Sequence, residues 1–311
     1  MKALLLKIMA AVLVLVTAIP GALAQNSAAN GVSTKMVVTV EARNGKEVPF
    51  VSAADVTVFQ GKTRDQVSGW VPVMQSQAAP EFFVLIDDSA STQSLGTQIP
   101  DIRQFIENQP ADVSVGIAYM RNGIAQIAQT LTKDHAQAAK AVRLPLGTED
   151  VSASPYFSLQ DLVKKWPKDS DVRQVLMITD GVDPYWNSPS LDDPYVDAAI
   201  ADCQRAGVMV YSIYTRAPGH FGHSLFRINQ AQSFLSETTD ATGGESYYLG
   251  SGSPVTFTPY FKQIRERLDH QFILTFLAQP GKKSGLEPVR LTTEVPNADL
   301  VAQRSVYVAA D

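Results

Sequence analysis

Cysteine occurs once in the 311 residues, at Cys203, and histidine four times. A single thiol cannot close an intramolecular disulfide, and four scattered imidazoles cannot build a Cys/His zinc cluster. Basic residues are outnumbered, with 26 Lys and Arg against 31 Asp and Glu. With no Lys/Arg-rich run and a pI near 5.4, the chain lacks the clustered positive charge that phosphate neutralisation needs, so no nucleic-acid partner is expected. Beyond the N-terminus no stretch is apolar enough for the ~20 residues of a membrane-spanning helix. G-x-S-x-G, a P-loop and H-E-x-x-H are also missing, which removes the commonest serine-hydrolase, nucleotide-binding and zinc-protease readings. The remaining composition, 45% hydrophobic and 18% charged, excludes a collagen-like, coiled-coil or globally disordered chain.

The N-terminus has a pattern of its own. Lys2 and Lys7 flank the start of an apolar run from Ile8 to Ile19, and Ala22-Leu23-Ala24 follows the helix breakers Pro20 and Gly21. Residues 1–24 read as a secretory signal peptide cleaved after Ala24. The expectation is a secreted or periplasmic protein with no membrane span in the mature chain. No cysteine follows the cleavage point, which excludes lipid attachment there. Residues 25–35 are small and polar and read as a flexible lead-in.

Three zones follow. Over 36–75, period-2 alternation and the turn signals Asn44-Gly45 and Gln60-Gly61-Lys62 predict a β segment too small to hold a large core. Over 80–270, apolar runs alternate with helical stripes. Phe82 to Ile86 and Val175 to Thr179 are continuous runs, as in strands buried on both faces of a parallel sheet. Ile99, Ile102, Phe105 and Ile106, then Leu159, Leu162, Val163 and Trp166, repeat at helical spacing. A stripe through Val196, Ala199, Ile200 and Cys203 makes the cysteine a buried thiol, and a last helix spans Phe257 to Asp269. The fold class is α/β: a Rossmann-like, mostly parallel sheet with helices on both faces. Over 271–311 the alternation returns to period 2. This C-terminal β segment is expected to pack with 36–75, so that the α/β domain is inserted in a small all-β unit.

The first buried run ends in Asp87-Asp88-Ser89-Ala90-Ser91. As D-x-S-x-S, it sets one carboxylate and two hydroxyls at alternate positions of a turn leaving a strand. Such groups are hard oxygen donors and suit a divalent cation, Mg²⁺ above all, with Mn²⁺ or Ca²⁺ as substitutes. The second run ends in Thr179-Asp180-Gly181, another carboxylate at the carboxyl end of a strand, where open α/β sheets bind ligands. Asp183, Asp192 and Asp193 read as solvated loop charges. His220 and His223 sit in a Gly/Pro-containing loop without a third soft ligand and read as surface.

The strand–D-x-S-x-S element, the later T-D-G and the alternation between them resemble a von Willebrand factor type A domain with a metal-ion-dependent adhesion site. The signal peptide, the β-rich lead, Ala153 to Leu159 and the C-terminal strands resemble, more narrowly, secreted bacterial VWFA-related proteins of the acidobacterial type. The resemblance implies that Ser89 and Ser91 ligate the metal directly, and that Asp87 and Asp180 hold it through water or at the edge of its ligand sphere. It also implies a third-loop hydroxyl. The family's usual threonine is displaced here, and Ser154, ahead of the helix from Tyr156 to Trp166, is favoured over Thr148.

The function expected is a non-enzymatic, metal-dependent adhesion or interaction module. A hard cation held mainly by neutral hydroxyls keeps enough positive character to attract a carboxylate, so the partner expected is a protein offering an acidic side chain. One alternative is a structural envelope component with a vestigial metal site. Another is an aspartate-dependent phosphohydrolase, which needs a second acid two residues beyond the first, where this chain has Ser89. No motif fixes the oligomeric state.

Overall fold

The computed structural model describes residues 31–45, 47–88, 95–147, 154–167, 170–186, 188–216 and 224–310. Among these, β1 (Val32–Ala42), β2 (Val56–Gln60) and β3 (Thr63–Pro72) come first. The middle of the chain carries β4 (Glu81–Asp87), α1 (Ile99–Glu107), β5 (Ser114–Arg121), β6 (Ile124–Thr132), α2 (His135–Lys140) and α3 (Pro155–Lys165). It continues through β7 (Arg173–Thr179), α4 (Pro194–Ala206), β8 (Val208–Tyr214), α5 (Leu225–Thr242), β9 (Ser246–Tyr247) and α6 (Thr258–Asp269). The last strands are β10 (Gln271–Ala278), β11 (Gly285–Thr293), β12 (Ala298–Ala302) and β13 (Ser305–Val308).

The described strands form two sheets. The middle ones run in the order β6-β5-β4-β7-β8-β9, parallel except for the edge strand β6. Continuous apolar runs arise because both faces are covered. Phe82, Val84 and Ile86 join the cluster under α1, α2 and α6, whereas Phe83 and Leu85 join the one under α3, α4 and α5. Cys203 lies in the second cluster, fully buried. The α/β class read from the sequence is the class observed.

The outer segments form an antiparallel sheet in the order β12-β1-β10-β3-β2-β11-β13, which mixes strands from both ends of the chain. The registers Met36↔Leu274 and Val38↔Phe272 place β1 against β10. Met36, Val38, Leu274 and Phe276 fill this sheet's own core, while Val37 and Ile273 point the other way into the core under α6. The small all-β unit therefore shares a wall with the α/β layer. One detail corrects the sequence reading. Strand β1 starts at Val32, inside the segment read as a flexible lead-in, because backbone pairing with β10 from Val32↔Ala278 onward orders even Ser33, Thr34 and Lys35.

The two layers meet at several places. Arg304 donates its backbone N–H to Ala241 O at 2.9 Å, tying the β12–β13 connection to the end of α5. Gly243, which ends that helix with φ +85°, allows this contact, since a Cβ there would lie 2.7 Å from the Ala302 carbonyl carbon. Among the described residues no helix is long and apolar enough to cross a membrane.

Candidate functional site

The chain leaves β4 toward β5 on one side and later returns to β7 on the other, so strand order reverses between β4 and β7. Open α/β sheets form their ligand-binding crevice beyond the carboxyl ends at such a reversal. Asp87 ends β4 and Thr179 ends β7. The Thr179 hydroxyl donates to Asp87 Oδ2 at 2.7 Å, with both side chains buried. Asp180 is the next residue, also buried, and its Oδ1 accepts from Val182 N at 2.9 Å. Gly181 has φ +68°, and a Cβ there would lie 2.7 Å from the Leu235 side chain. The glycine of T-D-G is thus required both by backbone conformation and by space. Burial pushes the Tyr214 phenol up to about 12, and the negative charge of Asp180 adds to the shift.

Ser154 caps α3, with Pro155 at the first helical position. Its hydroxyl accepts from Phe157 N at 3.4 Å and donates to Asp183 Oδ2 at 2.8 Å. Two residues on, the Tyr156 hydroxyl donates to Gly181 O at 3.1 Å. The start of α3 is therefore fastened twice to the loop that follows β7. Ser89, Ser91 and Thr148 lie outside the described residues, as do His220 and His223.

Asp183 and Asp193 are not the solvated charges read from the sequence. They are 2% and 1% exposed, while Asp192 is exposed as expected. Asp183 accepts from Tyr185 N at 2.7 Å in addition to Ser154, and Asp193 caps α4 by accepting from Tyr195 N at 2.8 Å. These local bonds replace water, which is why both acids can leave the surface. Burial holds both carboxyls above their ordinary range; hydrogen bonds from Ser154 and the Tyr185 and Trp186 amides partly offset this at Asp183.

Asp88 turns to a different partner. Arg143 Nη1 and Nη2 meet its two oxygens at 2.6 and 3.0 Å, a bidentate pair, and Leu146 N adds a bond of 2.9 Å. The Arg143 guanidinium also lies 3.8 Å from the centre of the Tyr119 ring. Gly147 N donates to Asp88 O at 3.1 Å, so the 143–147 segment is pinned to the end of β4.

The structure thus brings Asp87 and Asp180 to neighbouring strand ends and links Ser154 to the same loop through Asp183. Among the described residues no group of three or more His, Cys, Asp or Glu side chains is placed to hold a metal ion. The donors at the strand ends are all oxygens, two carboxylates and a hydroxyl, which suits a hard divalent cation and no soft one. The sequence reading missed Asp183 as a partner of Ser154, and Arg143. Asp183 carried a faint signal, an Asp two residues past a T-D-G glycine and followed by Pro, the composition of an Asx turn. Arg143 carried none.

No family model matches the sequence, and no curated protein matches it. Among solved structures, the chain is similar to the crystal structure of the SpRpn10 VWA domain, at 13% identity and a TM-score of 0.38 over 61% of this chain and 97% of that one.

Proposed function

We propose that this chain is a von Willebrand factor type A-like binding module, non-enzymatic and working outside the cytoplasm, which uses a divalent cation to hold a carboxylate of a partner protein. The observation that carries the reading is that Asp87 ends β4 and Asp180 directly follows β7, its parallel neighbour, where strand order reverses. Asp87, Ser89, Ser91, Asp180 and one of Ser154 or Thr148 would hold the cation, Mg²⁺ foremost. When bound, it supplies positive charge for an anionic partner group. Apolar side chains are exposed on the segment pinned to Asp88 at the end of β4, Leu144 and Leu146, and on the loop leaving β7, Tyr185 and Leu191, and they suit a protein partner better than a small ion.

Calorimetric titration with Mg²⁺ and Mn²⁺ tests this on the wild type and on Asp87→Ala. The expected result is binding by the wild type and at least about a tenfold loss in the variant, which removes one of two anionic groups balancing a dication. Equal binding by both proteins, or binding by neither, overturns the reading. Binding by neither leaves the structural role with a vestigial site.

A further inference from the structure

We infer that Asp183 is a positioning residue for Ser154, taking up the one proton of its hydroxyl and leaving that hydroxyl able only to accept. The inference rests on the cation-binding reading above and concerns how the site chooses the sign of its ligand.

A serine hydroxyl has one proton to give and two lone pairs. An ionised carboxylate has no proton, so the 2.8 Å contact between Ser154 Oγ and Asp183 Oδ2 uses the proton of the serine. Neither side chain can easily turn away. Ser154 is fully buried and its backbone O accepts from both Ser158 N and Ser158 Oγ, at 3.2 Å each. Asp183 is buried too, and its other oxygen is engaged by Tyr185 N at 2.7 Å. Among the described residues, the one polar contact that competes for the Ser154 lone pairs is the 3.4 Å bond from Phe157 N, long for a hydrogen bond. Lone pairs are all that Ser154 has left to offer. That polarity welcomes a cation and gives nothing to an anion such as phosphate.

A purely structural strap is the competing account. The loop after β7 is already strapped to α3 by the Tyr156–Gly181 bond, two residues from Ser154. The Ser154–Asp183 bond is redundant as a strap but not as a proton sink. Outer carboxylates that orient a metal ligand in this way are generally worth 10–100-fold in affinity.

Mn²⁺ calorimetry on the wild type, Asp183→Asn, Ser154→Ala and the double variant separates the accounts, with thermal unfolding measured without metal. Asp183→Asn should weaken Mn²⁺ binding about tenfold while the metal-free midpoint moves little. In the Ser154→Ala background the same change should have no further effect, because the proton it takes is gone. Ser154→Thr, which keeps the hydroxyl and leaves Asp183 untouched, should bind as the wild type does; this arm stands if Asp183→Asn does not fold. Wild-type affinity in Asp183→Asn, an undiminished effect in the Ser154→Ala background, or a Ser154→Thr loss as large as that of Ser154→Ala overturns the inference alone. Absence of Mn²⁺ binding by the wild type overturns the cation-binding reading and this inference with it.

Discussion

Gln174 of β7 donates its side-chain amide to the side-chain oxygen of Gln271 of β10 across 2.6 Å, with both residues buried between the two sheets. Gln271 in turn reaches the Tyr211 hydroxyl at 3.2 Å. This chain of polar groups at an otherwise apolar wall fixes where one sheet meets the other. Removing one member should hurt more than removing two. Gln271→Leu leaves the Gln174 amide buried without its acceptor and should lower stability by about 2 kcal/mol in urea unfolding. The Gln174→Leu/Gln271→Leu double variant should regain most of that loss.

Arg267, near the end of α6, lies 2.5 Å from Glu41 of β1 and 3.1 Å from Glu245 ahead of β9. Burial raises both glutamate carboxyls, and Arg267 pulls them back. A carboxyl raised in the folded state gives stability below its unfolded value that is lost as pH rises through the folded value. Arg267→Met removes the opposing cation, so both carboxyls climb further. The variant should be less stable by about 2 kcal/mol at neutral pH, under the range for fully buried pairs because Glu245 is half exposed. Its deficit should shrink as pH falls toward the ordinary carboxylate range, measured as the difference in thermal midpoint from the wild type.

Asp65 of β3 is 3% exposed, and among the described residues neither carboxylate oxygen makes a well-formed hydrogen bond, the Gln279 side chain only partly offsetting its burial. Burial raises its carboxyl. By the same sign, its contribution falls as pH rises. Asp65→Asn should therefore be more stable than the wild type at neutral pH, by about 1 kcal/mol, the low end for an unsatisfied buried polar group. The gain should fade on acidification. Urea unfolding at neutral pH and near pH 4 checks both parts.

Asp88 is 1% exposed at its side chain, with Arg143 bidentate and Arg121 a distant second cation at 3.9 Å. Arg143→Met strands this carboxylate and should destabilise the protein by about 3 kcal/mol. Proteolysis should then open the 143–147 segment first, since the bonds that pin it to β4 run through Asp88. A variant that unfolds as the wild type does would mean that Arg121 alone neutralises Asp88.

What could be read from the chain was what depends on near neighbours. The runs Phe82–Ile86 and Val175–Thr179 announced strands covered on both faces, and D-x-S-x-S and T-D-G lay at their ends. Pairings between distant residues left no such trace. Asp88 and Arg143 are 55 positions apart, and nothing around either residue announces the other. Asp183 and Asp193 looked solvated because a loop of Asp, Pro, Tyr and Ser has the composition of a surface, yet Asx turns and a helix cap give each acid a partner indoors. Val32 to Lys35 looked loose because strand order there comes from the backbone of β10, more than 200 residues away.

Among the described strands, the open edges of the antiparallel sheet are β12 and β13, consecutive in sequence and later than every strand they join, whereas β1 lies inside, between β12 and β10. Synthesis from the N-terminus therefore delivers β1 first and its partners last. Until residues 271–302 emerge, β1 has both rows of backbone groups unpaired, a template for any other extended chain. The parallel sheet, drawn wholly from residues 81–247, can close in the meantime. A chain stopped near residue 270 would keep every strand of that sheet and strip β1 on both sides. Early termination thus yields a sticky, half-finished molecule instead of a smaller finished one.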